Sequence, residues 1–361
     1  MITAKLRSYE DSFWDSYSIP VAGLAIYRLI YSLYVLTAVV PLALWVPLIP
    51  QAYYSPPLGI AAFFPAPPSR EVLWCLNAIL ILFSTMLLLG WKTRLSSLGT
   101  AFSLILLNTW SYSFFKINHD ILQIITPLLL AFSNWGNLIS IDSLKNVPQD
   151  HGALNRPSPL PLTLLAILTG VAMLTAGGAK ILTGWLDYDK LCTLGHLWAV
   201  YVGDDVQSSL GEQLLQVQSH LFWKMADWSA VALECLLIVA VVHRRLFCLF
   251  LAIFMLFHLG ILLSFGISFP FNIVAYAAFF DWSRVPLIKK LPSLPLWGIF
   301  SFAIVFVILA QIAMFLSIFT NGDAMRAIVW MGAIGGLAYL IQAAWRLLSR
   351  PSQQAKMPVT S

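Results

Sequence analysis

Three side chains in this sequence carry nitrogen groups suited to moving protons and stand where water is expected to be scarce: His119, Lys180 and His258. His119 sits in Lys116-Ile117-Asn118-His119-Asp120, at the entry to an apolar run. Lys180 follows Ala176-Gly177-Gly178-Ala179, about 28 Å along a helix counted from Pro161. His258 lies about 18 Å along another, counted from Leu246. An ionisable group at membrane depth costs about 2.5 kcal/mol or more, so it pairs or works. Each position also has a plain reading. His119 can be an interfacial residue at a helix start capped by Asn118 or Asp120. Lys180 can snorkel to the interface while its glycines serve close helix packing. His258 can be a satisfied packing histidine. The working reading makes Lys180 a partly desolvated amine able to act as a general base, with the two imidazoles assisting. Arg28 and Glu234 are also within apolar runs and could form a structural bridge.

The elements that must position these groups are membrane helices. Of the 361 residues, 59% are hydrophobic and only 10% charged, and mean hydropathy is +0.81. Water-soluble domains carry about 25% charged residues. Runs such as 72–89 and 296–319 reach the roughly 18 residues of a span. Trp91, Trp110, Tyr112, Trp185, Trp282 and Trp297 crowd near run ends as an interfacial aromatic belt. The net charge of +5 does not point to nucleic acid. Cys75, Cys235 and Cys248 fall in apolar runs and only Cys192 in a polar loop, with no disulfide framework or metal pair. Residues 1–20 are polar and mixed in charge, unlike a cleavable signal peptide.

The hydropathy pattern predicts an all-α polytopic bundle of about ten spans: 21–46, 72–89, 95–112, 121–132 (with an extension to 141), 161–183, 227–242, 246–263, 269–280, 296–319 and 325–348. The fourth and eighth are short, as for tilted, re-entrant or buried segments. Placing both termini in the cytoplasm puts Lys5, Arg7, Lys92, Arg94, Lys145, Arg156, Arg244, Arg245, Arg284, Lys289, Lys290, Arg346, Arg350 and Lys356 inside. Only Arg70, Lys116, Lys180, Lys190, Lys224 and Arg326 are then outside, as the positive-inside rule requires of a cell-membrane protein. His119, Lys180 and His258 then all lie toward the outer side, beneath a loop carrying Asp187, Asp189, Asp204, Asp205 and Glu212. Residues 1–348 form one transmembrane domain with an outer loop at 184–226, followed by a disordered cytoplasmic tail at 349–361. Val206, Leu210, Leu214, Val217 and Leu221 predict an amphipathic helix in that loop. The proline-rich stretch 47–70 predicts an irregular outer cap. Gly332 and Gly336 form a GxxxG pair that points to helix packing and a homodimer.

Four stretches, in order, carry a resemblance: Gly23-Leu24-Ala25-Ile26-Tyr27-Arg28; Gly90-Trp91-Lys92-Thr93-Arg94; Asn118-His119 through Ser140-Ile141-Asp142; and Ala176-Gly177-Gly178-Ala179-Lys180 followed by Trp185. Phe257-His258 with Phe269 fits more loosely. The sequence resembles, up to about Trp282, the horizontally transferred transmembrane (HTTM) domain, the membrane part of vitamin K-dependent γ-glutamyl carboxylase and its bacterial relatives. The resemblance implies a lysine, matched by Lys180, that deprotonates reduced vitamin K so that oxygen adds. The resulting oxygen base then takes the γ-proton of glutamate, and CO2 traps the carbanion. It likewise implies that His119 and His258 assist and that a lipid-soluble hydroquinone, with O2 and CO2, is the cofactor set. The carboxylase's large lumenal region has no counterpart here, which shifts the expected substrate toward a quinol-like lipid or small peptide. A non-catalytic carrier or maturation and export partner for a peptide or lipid is the alternative. A metal site built from His119, His196, His220 and His258 matches no zinc spacing, so none is assigned.

Overall fold

A computed structural model of the chain describes residues 11–114, 120–145, 158–203, 208–286, 288, 290–318 and 320–349. Among these, every regular element is helical. The helices are α1 (Val21–Tyr34), α2 (Arg70–Leu89), α3 (Thr93–Ser111), α4 (Ile121–Leu130), α5 (Ile141–Lys145), α6 (Leu160–Leu182), α7 (Cys192–Trp198), α8 (Gly211–Leu215), α9 (His220–Ala240), α10 (Arg244–Phe265), α11 (Pro270–Ala277), α12 (Leu296–Phe315) and α13 (Asn321–Leu348). The principal packing pairs are α6 with α9, α10 with α13, and α2 with α3. The face where α1 begins is called proximal below and the opposite face distal.

All ten expected spans coincide with helix, but they are not equal. Six segments are long and apolar enough to cross a bilayer alone: 21–39, 70–89, 160–182, 244–265, 296–315 and 321–348. The chain is thus an all-α membrane bundle, and six rather than ten spans meet that test among the described residues. The shortfall has physical causes. α3 is long enough, but it turns Ser96, Ser97, Thr100 and Ser103 inward, where small hydroxylated side chains allow close approach to its neighbours. α9 carries Lys224, Asp227 and Glu234, all buried. It starts at His220, seven residues before the expected start at Asp227.

α4 and α11 have 10 and 8 residues, about 15 and 12 Å, against a hydrocarbon core of about 30 Å. Both complete their traverse with irregular backbone. After α4 the chain runs through turns at 131–140 until the Asp142 carboxylate accepts from the N–H groups of Lys92 (2.9 Å) and Thr93 (2.7 Å), at the proximal start of α3. After α11 the Phe279 carbonyl accepts from Arg244 Nε (3.0 Å), at the proximal start of α10. Such backbone is tolerated in a membrane only where protein satisfies it. Arg28 does so for the first break: its guanidinium, fully buried, donates to the carbonyls of Trp135 (2.9 Å), Leu138 (3.4 Å) and Ile139. Tyr31 donates to the Gln123 carbonyl (2.6 Å) and Tyr27 to that of Val274 (2.9 Å). The bridge that Arg28 and Glu234 could have made is not formed among the described residues, because Arg28 is spent on carbonyls at the proximal end.

Three further expectations change. The first span was expected to Val46. Its α-helix ends at Tyr34 and a wider turn carries on to Val39, because Pro41 offers no N–H; Asn77 then holds Leu42 through both its N–H (2.8 Å) and its carbonyl (2.9 Å). The amphipathic helix expected over 206–221 reduces, among described residues, to Gly211–Leu215. Leu210 N–H and Ser208 Oγ instead tie this stretch to the carbonyls of Leu263 (2.9 Å) and Ser264 (2.6 Å). The glycine pair of α13 faces inward, Gly332 against Ile273 and Gly336 within 2.8 Å of the Ala252 carbonyl for an added Cβ, which removes the small-residue ground for a dimer. The stretch 47–70 is irregular as expected, with short 3-10 turns at Val46–Leu48, Gln51–Tyr53 and Ile60–Phe63.

Candidate functional site

α6 and α9 pack antiparallel, and their contact is set by glycine. A side chain at Gly177 would meet Cys235 and Glu234, so the lack of one lets α9 close on α6. Gly178 faces open space, so only one glycine of the pair serves packing. One turn on from Gly177, the Lys180 ammonium reaches both carboxylate oxygens of Glu234, at 2.7 and 2.6 Å. The lysine side chain is 24% exposed and the glutamate 9%. Trp185 lies against the amine, with 5.3 Å from Nζ to the ring centroid. Elsewhere on α6, Val171, Leu174, Ile181 and Leu182 are exposed apolar residues, the last two next in sequence to Lys180.

The loop that brings Trp185 there is tied down by a second, fully buried ion pair. Lys224 donates to the carbonyls of Trp185 (3.0 Å), Asp187 (2.7 Å) and Lys190 (2.5 Å) and to Asp227 (2.9 Å). Asp227 in turn accepts from the N–H groups of Cys192 (3.1 Å) and Thr193 (2.7 Å) and from the Thr193 hydroxyl (2.6 Å). Lys224 and Asp227 stand at i and i+3 on α9, so a single helix turn anchors the loop at both ends. On its outer surface Lys190 pairs with Asp187 (2.7 Å) and holds that carboxyl below the usual carboxylate range.

His258 is buried on α10 in an aromatic nest. Its ring lies 5.1 Å from Phe269 and stacks near Tyr276 at 5.8 Å. Nε2 is 3.2 Å from the Tyr276 hydroxyl and 3.4 Å from the Asn272 amide nitrogen. The Tyr276 hydroxyl also points at Met173 Sδ (4.0 Å). Met173, Gly177 and Lys180 follow one another on one face of α6, so the amine lies about 10 Å along the helix from the methionine that meets the His258–Tyr276 pair. Lys180 and His258 are therefore linked along α6 by way of Met173 and Tyr276, without touching. His119 lies outside the described residues.

Sequence reasoning noticed Glu234 and offered Arg28 as one possible partner, and it passed over Asn272 and Tyr276. A signal for the latter pair was present: a lone amide and a tyrosine at i and i+4 on a run starting Phe269-Pro270 must share one face of a short helix. Nothing in the sequence joins Glu234 to Lys180 across 54 positions.

A helical bundle with six segments long and apolar enough to cross a bilayer defines a multi-pass membrane protein. The HTTM domain matches residues 18–283. The chain belongs to the HTTM family, and α12 and α13 lie beyond the matched region. No curated protein and no solved structure matches it.

Proposed function

We propose that the chain is a membrane-embedded enzyme in which Lys180 is a general base toward an O–H or similarly acidic proton of a lipid-soluble quinol-like or small peptide substrate, at an extracytoplasmic distal face. The observation that carries this reading is the Lys180–Glu234 pair, held under Trp185 beside an apolar flank. A substrate dissolved in the bilayer meets that edge without crossing water. The transfer requires the neutral amine, so the pair's shared proton rests on Glu234 in the reactive form. The substrate proton then passes to Nζ, and the new ammonium faces the oxyanion left behind. Tyr276 and His258 lie on the inner side of the pair and offer hydroxyl and imidazole groups for onward proton movement. His119 is proposed to assist on the strength of its family position alone.

The cofactor set that the family implies is a reduced lipid-soluble quinone with O2 and CO2. The residues present fit the quinol: amine and carboxylate for its hydroxyls, Trp185 and the α6 flank for its ring. When bound, it would supply the oxygen-dependent chemistry; this chain's own part is to take and hold the proton.

The test is oxygen uptake by the full chain in nanodiscs supplied with a reduced naphthoquinone. General-base catalysis is worth about 10²–10⁴-fold, so Lys180→Ala should lose at least about 100-fold. A folded Lys180→Ala protein with undiminished turnover would end the proposal.

A second reading, a carrier for a lipid or peptide, is favoured by one observation: the two broken helices α4 and α11 pack against each other, as discontinuous helices do in transporters. Against it, Tyr27, Tyr31, Trp135 and Tyr276 are fully buried in the core that includes them. A cysteine accessibility scan decides: a site open alternately to each face supports carriage.

A further inference from the structure

We propose that the proximal cleft between the start of α3 and the irregular segment 131–140 binds the headgroup of an anionic phospholipid, with the acyl chains lying down the outer face of α3. The inference does not depend on the chemistry of Lys180, which is at the other end of the bundle.

The cleft encloses about 440 Å³, and its polar lining comes from Thr93, Arg94, Ser133, Asn137 and Asp142. Trp135 also lines it, and the buried indole N–H of Trp135 has no partner among the described residues. A second hollow of about 490 Å³ shares Thr93, Arg94 and Asp142 with it and adds Lys92, Leu95 and Leu98, and the surface it exposes is almost wholly apolar. The two hollows meet at Arg94, which offers polar groups on one side and hydrocarbon on the other.

Charge favours an anion. Lys92 and Arg94 are exposed, and neither makes an ion pair among the described residues. The Arg94 guanidinium is held 4.6 Å over the Phe132 ring, which fixes it at the rim of the cleft. The lining carboxylate, Asp142, is already engaged by the N–H groups of Lys92 and Thr93 and by the Thr93 hydroxyl (2.8 Å). Two cations against one engaged carboxylate leave the site net positive.

Shape favours a lipid over a small anion. From Arg94 the residues Leu95, Leu98 and Phe102 descend one side of α3 at helical spacing, with Leu95 and Phe102 exposed. Trp91, also exposed, sits at the headgroup level where indoles concentrate. A phosphate between Lys92 and Arg94, glycerol hydroxyls toward Ser133 and Asn137, and chains along Leu95 and Phe102 use all of these at once. A free phosphate uses half of them.

The experiment is native mass spectrometry of the detergent-purified full chain titrated with phosphatidylglycerol or phosphatidylcholine, together with thermal unfolding. Phosphatidylglycerol should be retained preferentially and raise Tm. A basic residue near a membrane surface is worth about fivefold in such binding, so Lys92→Gln/Arg94→Gln should weaken retention tenfold or more while its lipid-free Tm matches the parent. Leu95→Gln, which changes no charge, should weaken retention of the lipid without affecting soluble glycerol phosphate. Equal retention of both lipids, undiminished retention by the double variant, or full competition by glycerol phosphate or inorganic phosphate would each overturn the proposal, the last by reducing the cleft to a small-anion site.

Discussion

Arg28 and Lys180 are both cations within membrane helices, and the bundle treats them in opposite ways. Arg28 is fully buried and donates only to backbone carbonyls of the broken segment after α4. Its partners cannot titrate, dissociate or be replaced by substrate. Lys180 keeps a quarter of its side chain exposed and is paired with a carboxylate that can itself take a proton. The first arrangement satisfies irregular backbone; the second leaves an amine–carboxylate pair partly open at the surface of the bundle, as the proposed chemistry requires. Lys224, fully buried among three carbonyls and Asp227, sides with Arg28 although it lies near the same face as Lys180. Depth in the membrane does not distinguish these cations. The nature and accessibility of the partner does.

That contrast can be broken by substitution, most sharply at Arg28. Arg28→Met leaves at least two buried carbonyls without a donor, at about 1–3 kcal/mol each, so about 3–5 kcal/mol of stability should be lost, read as a large fall in Tm in detergent. Arg28→Lys should recover little of it, since an ammonium cannot reproduce the planar fork. Next comes Lys224→Met, which strands the Asp227 charge. About 3 kcal/mol should be lost, with limited proteolysis appearing within 184–193, and Lys224→Met/Asp227→Leu should be less damaging than the sum of the single changes. Gly90 comes third. It ends α2 at φ 64°, and an added methyl collides with Ser140 and Arg28. Gly90→Ala should cost about 2 kcal/mol, from the left-handed backbone together with displacement of the Arg28 clamp. The smallest effect on stability is expected at Lys180. Lys180→Met should shift the unfolding free energy by about 1 kcal/mol or less, because the pair is at a partly open edge, while removing turnover. A Lys180→Met protein that unfolds as readily as Arg28→Met would erase the contrast and make both cations structural.

Composition and hydropathy were enough to establish a membrane helix bundle, because the bilayer allows the backbone few other solutions. Each of the ten apolar runs contains a helix, six of them long and apolar enough to cross alone, and the family followed from ordered short motifs. Those motifs also have a legible spatial reason once the chain is folded. Arg28, Gly90, Thr93, Ser140 and Asp142 come from three separate stretches and meet in one proximal clamp: Gly90 makes room, Asp142 caps α3, and Arg28 satisfies the broken segment. Span length was less legible. A run's hydropathy does not say where its helix stops, and α4 and α11 stop early because neighbouring side chains take up the carbonyls that helix would otherwise satisfy.

Partnership was decided by the tertiary structure alone. Lys180 stands out in the sequence because a cation in an apolar run is costly wherever it points. Its carboxylate is 54 residues away on an antiparallel helix, and only the close approach over Gly177 gives Glu234 to Lys180 rather than to Arg28. A one-dimensional pattern records which residues avoid water. Which of them meet depends on how the helices rotate and rise against one another, and that is fixed by packing.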